Sequence, residues 1–291
     1  MTPEDRIHAL GIWQGPIEIA PIAGGITNRN YLVTDRACRR VVRLGDDIPI
    51  HHISRRNELA ASLAAHAAGL SPAVIHHEPG VLVLNFIEAR ALTAADIQDV
   101  RVLARVVPLV RACHRHVARH FRGQAMIFWV FHVIRDYAAT LTAAESGYTQ
   151  MLPALLEKAE MLEQAAGPFD IAFGHNDLLA ANFLDDGKRL WLIDWDYAGF
   201  NTPLFDLGGL ASNNELSKDA ERQMLETYFD RPLTGDLWRR YNAMKCVSLL
   251  RETLWSMVSE IHSSIDFDYA AYTAENLARF KRAYKAFERD Q

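Results

Sequence analysis

Cysteine is scarce in this chain: Cys38, Cys113 and Cys246 are three in 291 residues, far apart and with no C-x-x-C spacing. That scarcity argues against a disulfide framework and leaves free, buried thiols in a reducing compartment as the reading. With no Cys spaced for it near any of the 12 histidines, a zinc site is not expected either. Basic charge is not in excess, since the formal net charge is −5. A nucleic-acid partner is therefore not expected, because neutralising phosphates needs a basic face. No apolar run approaches the roughly 20 residues that cross a bilayer, so membrane insertion is not expected. The opening Met1-Thr2-Pro3-Glu4-Asp5-Arg6 lacks the basic-then-apolar order of a signal peptide, which makes a cytoplasmic location the expectation. Internal repeats and low-complexity linkers are also missing. What remains is an ordinary globular composition, 49% hydrophobic and 23% charged. A chain near this length buries roughly three quarters of its unfolded surface.

The order of elements suggests two lobes. Ile17 to Pro21, Asn30 to Thr34 and Arg40 to Leu44 are short β-branched runs separated by turn residues, and read as strands. Arg55 to Gly69 reads as a helix with Ser54 at its N-cap and Gly69 as its stop. Ala73 to His76 and Val81 to Phe86 complete a sheet, with Glu78-Pro79-Gly80 as the turn. Beyond Thr93 the pattern becomes helical: Asp96 to Arg122, Val130 to Ala144, Leu152 to Ala166, Asp219 to Phe229, and most of Gly235 to the end. Only Phe169 to Asp196 interrupts it, as strand, loop and strand. The expected architecture is α+β and bilobal, with a small β-rich lobe over residues 1–88 and a larger helical lobe over residues 89–291.

The interruption carries the chemistry. Gly174-His175-Asn176-Asp177-Leu178-Leu179-Ala180-Ala181-Asn182, then Leu192-Ile193-Asp194, places an acid, an amide and a second acid at phosphoryl-transfer spacing. In such a site Asp177 accepts the hydrogen bond of an acceptor hydroxyl and orients it. Asn182 and Asp194 offer oxygens to Mg²⁺, a hard cation that takes few protein ligands and keeps several waters. Leu190 to Ile193 is an apolar strand that holds Asp194 at its end. His175 reads as a structural hydrogen-bonder, because Asp177 already fills the position of the base.

Upstream, Gly24, Gly25, Thr27 and Asn28 sit between two strands, where they could fold over phosphates or form a plain hairpin turn. Arg43 stands where a phosphate-binding cation belongs, with Glu58 on the next helix as its partner. Arg101, Arg105, Arg111, Arg115, Arg119 and Arg122, with His114, His116 and His120, recur at helical spacing and read as a solvated helix face. His51-His52 and His76-His77 read as surface pairs.

These motifs make the chain resemble the choline/ethanolamine kinase family, within the group that includes aminoglycoside phosphotransferases and protein kinases. The resemblance runs from Gly24 to Tyr272. It rests on Gly24-Gly25-Ile26-Thr27-Asn28, on Arg43 in Val41-Val42-Arg43-Leu44, and on His175-Asn176-Asp177 with Asn182. It continues through Ile193 to Gly199, Phe205 to Gly208, Leu254-Trp255-Ser256 and Ser263 to Tyr269. It implies a protein-kinase-like fold and ATP- and Mg²⁺-dependent phosphorylation of a small amino alcohol, choline first and ethanolamine second. By motif match it implies Asp177 as catalytic base, Asn182 and Asp194 as metal ligands, and Arg43 on the ATP phosphates. Asn85 to Ile87 would be the hinge toward adenine, and Asp206 would brace the catalytic loop. Trp255 and Tyr272 would line the head-group pocket, since aromatic faces attract a quaternary ammonium.

Two departures bear on the acceptor. The family's second pocket aromatic falls on Glu252, and its pocket carboxylate falls on Asn213, with Glu215 two residues beyond. A carboxylate at Glu252 suits a primary amine at least as well as a trimethylated one. Kinases of thiamine, an aminoglycoside or a sugar, and a nucleotide-binding regulator without turnover, stay open as alternatives.

Overall fold

The structure is a computed structural model that describes every residue except 1, 23–27, 37, 169, 264, 266, 290 and 291. A short helix α1 (Pro3–His8) leads into five strands: β1 (Ile17–Ile22), β2 (Arg29–Asp35), β3 (Cys38–Leu44), β4 (Val74–Glu78) and β5 (Val81–Asn85). They form an antiparallel sheet in the order β1-β2-β3-β5-β4. Val33, Val42 and Val83 are fully buried on one face with Ile7 of α1, a small core separate from the main one. The β4–β5 turn falls where Glu78-Pro79-Gly80 placed it, with Gly80 at φ +72.

Helix α2 (Arg55–Ala67) follows β3. Ser54 occupies its N-cap position but makes no side-chain cap; Asp47 Oδ1 accepts the Arg55 N–H at 2.6 Å instead. Ala61, Ala64 and Ala65 are buried, and these small side chains let α2 lie closely on the helical lobe.

The helical lobe begins with β6 (Arg90–Ala91), α3 (Ala94–Gln98) and α4 (Val100–His120). The single long helix expected over Asp96 to Arg122 is thus divided. Asp99 is extended (ψ 122), and its carboxylate caps the new helix through the Arg101 N–H. Then come α5 (Val130–Ala143), α6 (Leu152–Ala166), β7 (Ala172–Gly174), β8 (Phe183–Asp185), β9 (Leu190–Leu192) and β10 (Gly199–Asn201). The chain closes with α7 (Pro203–Asn213), α8 (Lys218–Phe229), α9 (Gly235–His262) and α10 (Tyr269–Arg289). Helix α9 is the axis of this lobe, packing against α5, α6, α7 and α10. Its buried residues, Tyr241, Met244, Val247, Leu250 and Leu254 among them, point to every side, as a helix enclosed by others requires.

Three side-chain expectations are corrected. Cys38 is exposed, while Cys113 and Cys246 are buried; all three are free. His51 is buried and bonded to Ser259 Oγ at 3.1 Å, not paired with His52 on the surface. His114 leaves the solvated face of α4 and turns inward. Hydropathy could not reveal these turns, because each polar ring is buried against specific partners distant in sequence.

Close approach of α7 to α9 depends on Gly208. A Cβ there would lie 2.8 Å from the backbone N and Cα of Lys245. Gly208→Ala should cost about 1–3 kcal/mol through overpacking, seen as a lower thermal midpoint. An unchanged midpoint would mean that the two helices separate without cost.

Candidate active site

Strand β7 ends at Gly174 and delivers His175, Asn176 and Asp177 into a turn held from behind by Asp206 of α7. Asp206 Oδ2 accepts the His175 N–H at 2.8 Å and Oδ1 accepts the Asn176 N–H at 2.7 Å. Oδ2 also accepts from His114 Nε2 at 2.8 Å, and His114 Nδ1 lies 2.7 Å from the Tyr228 hydroxyl. Burial alone would raise the Asp206 carboxyl, but the bond from His114 and the two backbone N–H groups outweigh it and hold the group below the usual carboxylate range. Gly174 is needed here: a Cβ would stand 2.8 Å from Asn176 Oδ1 and 3.2 Å from Asp206 Oδ2. Asn176 adopts φ +64, a conformation Asn tolerates better than most residues, and its amide donates to the carbonyls of Tyr197 (3.0 Å) and Gly199 (3.2 Å). His175 is fully buried with Nε2 donating to the Ile193 carbonyl at 2.9 Å, the structural role expected of it.

The metal side is assembled from the other direction. Asn182 Nδ2 donates to the Asp177 carbonyl at 2.9 Å, which leaves Oδ1 as the acceptor oxygen of that amide. The Ile193 N–H donates to the Asn182 carbonyl at 3.0 Å, tying the two ligand candidates together. Asp194 follows at φ +69, a left-handed conformation uncommon for a residue with a side chain. Asn182 Oδ1 and the Asp194 carboxylate form an all-oxygen donor set that fits Mg²⁺, with waters and phosphate oxygens completing the shell.

Arg43 reaches this acid from the sheet. Its Nη2 donates to Asp194 Oδ1 at 2.8 Å and Asp196 Oδ1 at 3.0 Å, and its Nε lies 3.1 Å from Glu58 Oε1. The Arg43–Glu58 pair anticipated from sequence therefore forms, but two further acids share it. Burial opposes the Arg43 charge, while Asp194, Glu58 and Asp196 together raise its pKa. Burial pushes the Glu58 carboxyl up. Asp196, given no role by sequence reasoning, is the hub: it accepts from Arg43, from Arg55 Nη1 at 2.9 Å and from Asn28 Nδ2 at 3.0 Å. The Asp-x-Asp spacing with Asp194 was the available signal. Asn28, expected to donate to phosphates, has its amide turned to this acid.

Asp177, Asn182, Asp194, Glu252, Trp255 and Tyr272 line one cavity of about 290 Å³. Burial pushes the Asp177 carboxyl up to about 8, with Arg251 opposing and Glu252, Asp194 and Asp196 adding to the rise. Tyr272 donates its hydroxyl to Glu252 Oε1 at 2.9 Å, and Trp255 Nε1 donates to the Tyr197 hydroxyl at 2.9 Å. Asn213 borders a separate cavity of about 20 Å³ beside it. Glu215 is not brought in: it follows α7 in a turn at φ +51, exposed, and lines neither cavity. At the lobe junction the Asn85 N–H donates to the Ala73 carbonyl (2.8 Å) and the Phe86 N–H to the Arg39 carbonyl (3.3 Å), so neither is open to a ligand. Ile87 follows them outside the strand. Gly24, Gly25 and Thr27 lie outside the described residues.

A five-stranded lobe over a helical lobe, with an H-x-D loop and a second Asp meeting between them, defines a kinase-like phosphotransferase. The choline/ethanolamine kinase family model matches residues 19–231, and the chain belongs to that family, whose members act on an alcohol hydroxyl. LicA of Haemophilus influenzae is 28% identical over 98% of this chain and 84% of its own length. The crystal structure of a choline/ethanolamine kinase family protein from Mesorhizobium loti is 28% identical and superposes with a TM-score of 0.78, covering 99% of this chain and 97% of that one. Choline kinase LicA from Streptococcus pneumoniae shares the fold, with a TM-score of 0.77 at 22% identity over 98% and 97% of the two chains.

Removing the charge of Asp206 should destabilise the loop. Asp206→Asn offers one acceptor where backbone N–H groups need two, a loss of about 2–4 kcal/mol at pH 7 if each charged bond is worth about 1.5–3. The Asp206 pKa is lowered in the folded state, so its contribution is present above the unfolded value and fades as pH falls through the folded one. Denaturant titrations of parent and variant should therefore converge below about pH 4. A gap that stayed constant down to pH 2 would assign the loss to packing.

Proposed function

We propose that this protein transfers the γ-phosphoryl group of Mg²⁺-bound ATP to the hydroxyl of a small amino alcohol. The observation that carries the reading is the one cavity lined by Asp177, Asn182, Asp194, Glu252, Trp255 and Tyr272 together. In the transfer, the hydroxyl oxygen bonds to the γ-phosphorus, the bond from that phosphorus to the bridging oxygen breaks, and ADP leaves. The hydroxyl proton passes to Asp177 in its ionised form, which the raised pKa makes a stronger base but the minor form at neutral pH. Asn182 and Asp194 would hold Mg²⁺, which would supply charge neutralisation on the phosphates. Arg43 would exchange part of its contact with Asp194 for phosphate oxygens. The Ile87 backbone is the hinge group left to face adenine.

Choline and ethanolamine are the first acceptors to assay, with thiamine and an aminoglycoside as controls from the wider group. Glu252 gives the ammonium its counter-charge and Trp255 its aromatic wall. The convergence of Asp177, Asn182 and Asp194 on one cavity disfavours a regulator without turnover, which has no need of all three.

Asp177→Ala should lower phosphate transfer about 10²–10⁴-fold while ATP still binds. Asp194→Ala should instead weaken Mg²⁺-dependent ATP binding. Coupled nucleotide-consumption assays and calorimetry with ATP, each with and without Mg²⁺, separate the two. Transfer by Asp177→Ala at the parent rate would remove it from the role of base.

A further inference from the structure

His51 lies behind the acceptor wall. It ends a 3₁₀ turn (Pro49–His51) in the loop between β3 and α2. Ile48 and Ile53 close the neck of that loop with two backbone bonds of 3.0 and 3.1 Å. The loop carries His51 into the interior, where it is 5% exposed. Its ring lies against the indole of Trp255, with centroids 5.1 Å apart and planes tilted by 34°, and Tyr137 of α5 meets it edge-on at 5.8 Å. Trp255 lines both the acceptor cavity and a second cavity of about 440 Å³. His51 lines the second and not the first, so it supports the indole from outside the acceptor cavity.

Hydrogen bonds fix the tautomer of this ring. Ser259 Oγ, one turn along α9 from Trp255, donates to the Trp255 carbonyl at 2.9 Å and lies 3.1 Å from His51 Nε2. A serine hydroxyl has one proton to give. With that proton on the carbonyl, Nε2 must carry the imidazole hydrogen and donate it to Oγ. Nδ1 is then a bare lone pair, enclosed and with no hydrogen-bond partner among the described residues. Burial first, then Arg251, His52 and His262, lower the His51 pKa to about 3, so the ring is neutral at pH 7. Trp255 is anchored a second time, its Nε1 donating to the Tyr197 hydroxyl at 2.9 Å. The indole is held at its nitrogen by Tyr197 and against its ring by a neutral imidazole.

Neutrality matters because the ring's own quadrupole is what draws a cation to it. An imidazolium beside the indole would use that potential itself and repel a second cation brought to the same ring. Resting on the kinase reading above, we propose that His51 is a positioning residue for the acceptor: as an uncharged backing it holds the Trp255 indole in the orientation that receives the acceptor's ammonium. It touches neither acceptor nor nucleotide. Packing alone would ask only for a side chain of similar size at position 51. Positioning asks also for the bond to Ser259, because that bond fixes the rotation of the imidazole against the indole.

Acceptors that differ in charge and little in shape provide the test: choline against 3,3-dimethylbutan-1-ol, and ethanolamine against propan-1-ol, all under saturating Mg²⁺-ATP. The amino alcohol is measured by its KM and the uncharged isostere by its Ki as a competitor. One aromatic face is worth about 2- to 30-fold to a cation, so Ki/KM in the parent should exceed one. His51→Ala and His51→Leu should each lower Ki/KM about fivefold, with kcat and the KM for ATP within about threefold of the parent. His51→Gln, which keeps an amide donor for Ser259, should hold Ki/KM within about twofold of the parent. If Ki/KM is unchanged in His51→Ala, or if the Leu and Gln variants behave alike, His51 is packing only and the inference fails while the kinase reading stands. If the parent phosphorylates neither choline nor ethanolamine, the amino-alcohol reading itself fails and this inference with it. Should the His51 variants not fold, Ser259→Ala removes the acceptor of the Nε2 hydrogen and carries the test, and an unchanged Ki/KM there overturns the inference.

Discussion

A single guanidinium joins the two halves of this active site. Arg43 comes from the sheet, Glu58 from the helix behind it, and Asp194 and Asp196 from the loop after β9; all four meet within hydrogen-bonding distance. Arg43, Glu58 and Asp196 are almost wholly buried, so removing any one partner strands a desolvated charge at a cost of about 3–5 kcal/mol. Counting Arg55, the cluster holds two cations and three carboxylates, and it is short of positive charge by one. That deficit is centred on Asp194, the more exposed of the acids. The cluster thus keeps a net negative charge, with Asp194 as its acid most open to solvent.

The catalytic loop is held by a second buried charge on its far side. Asp206 gathers two consecutive backbone N–H groups and a histidine, while Asn176 binds the carbonyls that follow Asp196. The loop and the segment that carries Asp194 are therefore bonded to each other. Asp177 itself carries none of this structural duty with its carboxylate, which is what lets that group keep a raised pKa and remain open to a hydroxyl. Preorganisation of this kind is most of what phosphoryl transfer asks of a protein.

Much of this was legible in the chain, for identifiable reasons. The strands and the H-x-D-x4-N loop are local: their spacing states their geometry, and helix α6 was expected over the very residues it occupies, Leu152–Ala166. Helix α7 was not anticipated because Gly208 and Gly209 fall in its middle, where propensity disfavours a helix and only the crossing with Lys245 explains the choice. Asp196 was given no role, and His51 and His114 were read as surface residues, because their partners are distant in sequence, 208 residues away for His51. Ser54 shows the converse failure: the right residue type at the right position, displaced from its cap by Asp47. Single polar positions carry no periodicity, so burial of a polar group is invisible until the partner is in place.

The division of labour also explains how acceptor choice can drift while the phosphate chemistry stays put. Arg43, Glu58, Asp194 and Asp196 are locked into one network, and Asp206 holds the loop beside it. The acceptor wall is different. Arg251, Glu252 and Trp255 lie within two turns of α9, a helix whose position is secured by apolar contacts with four others and not by these side chains. A substitution at Glu252, whose carboxylate is bonded by Arg251 and Tyr272, would leave the bonds among Arg43, Asp194 and Asp196 untouched.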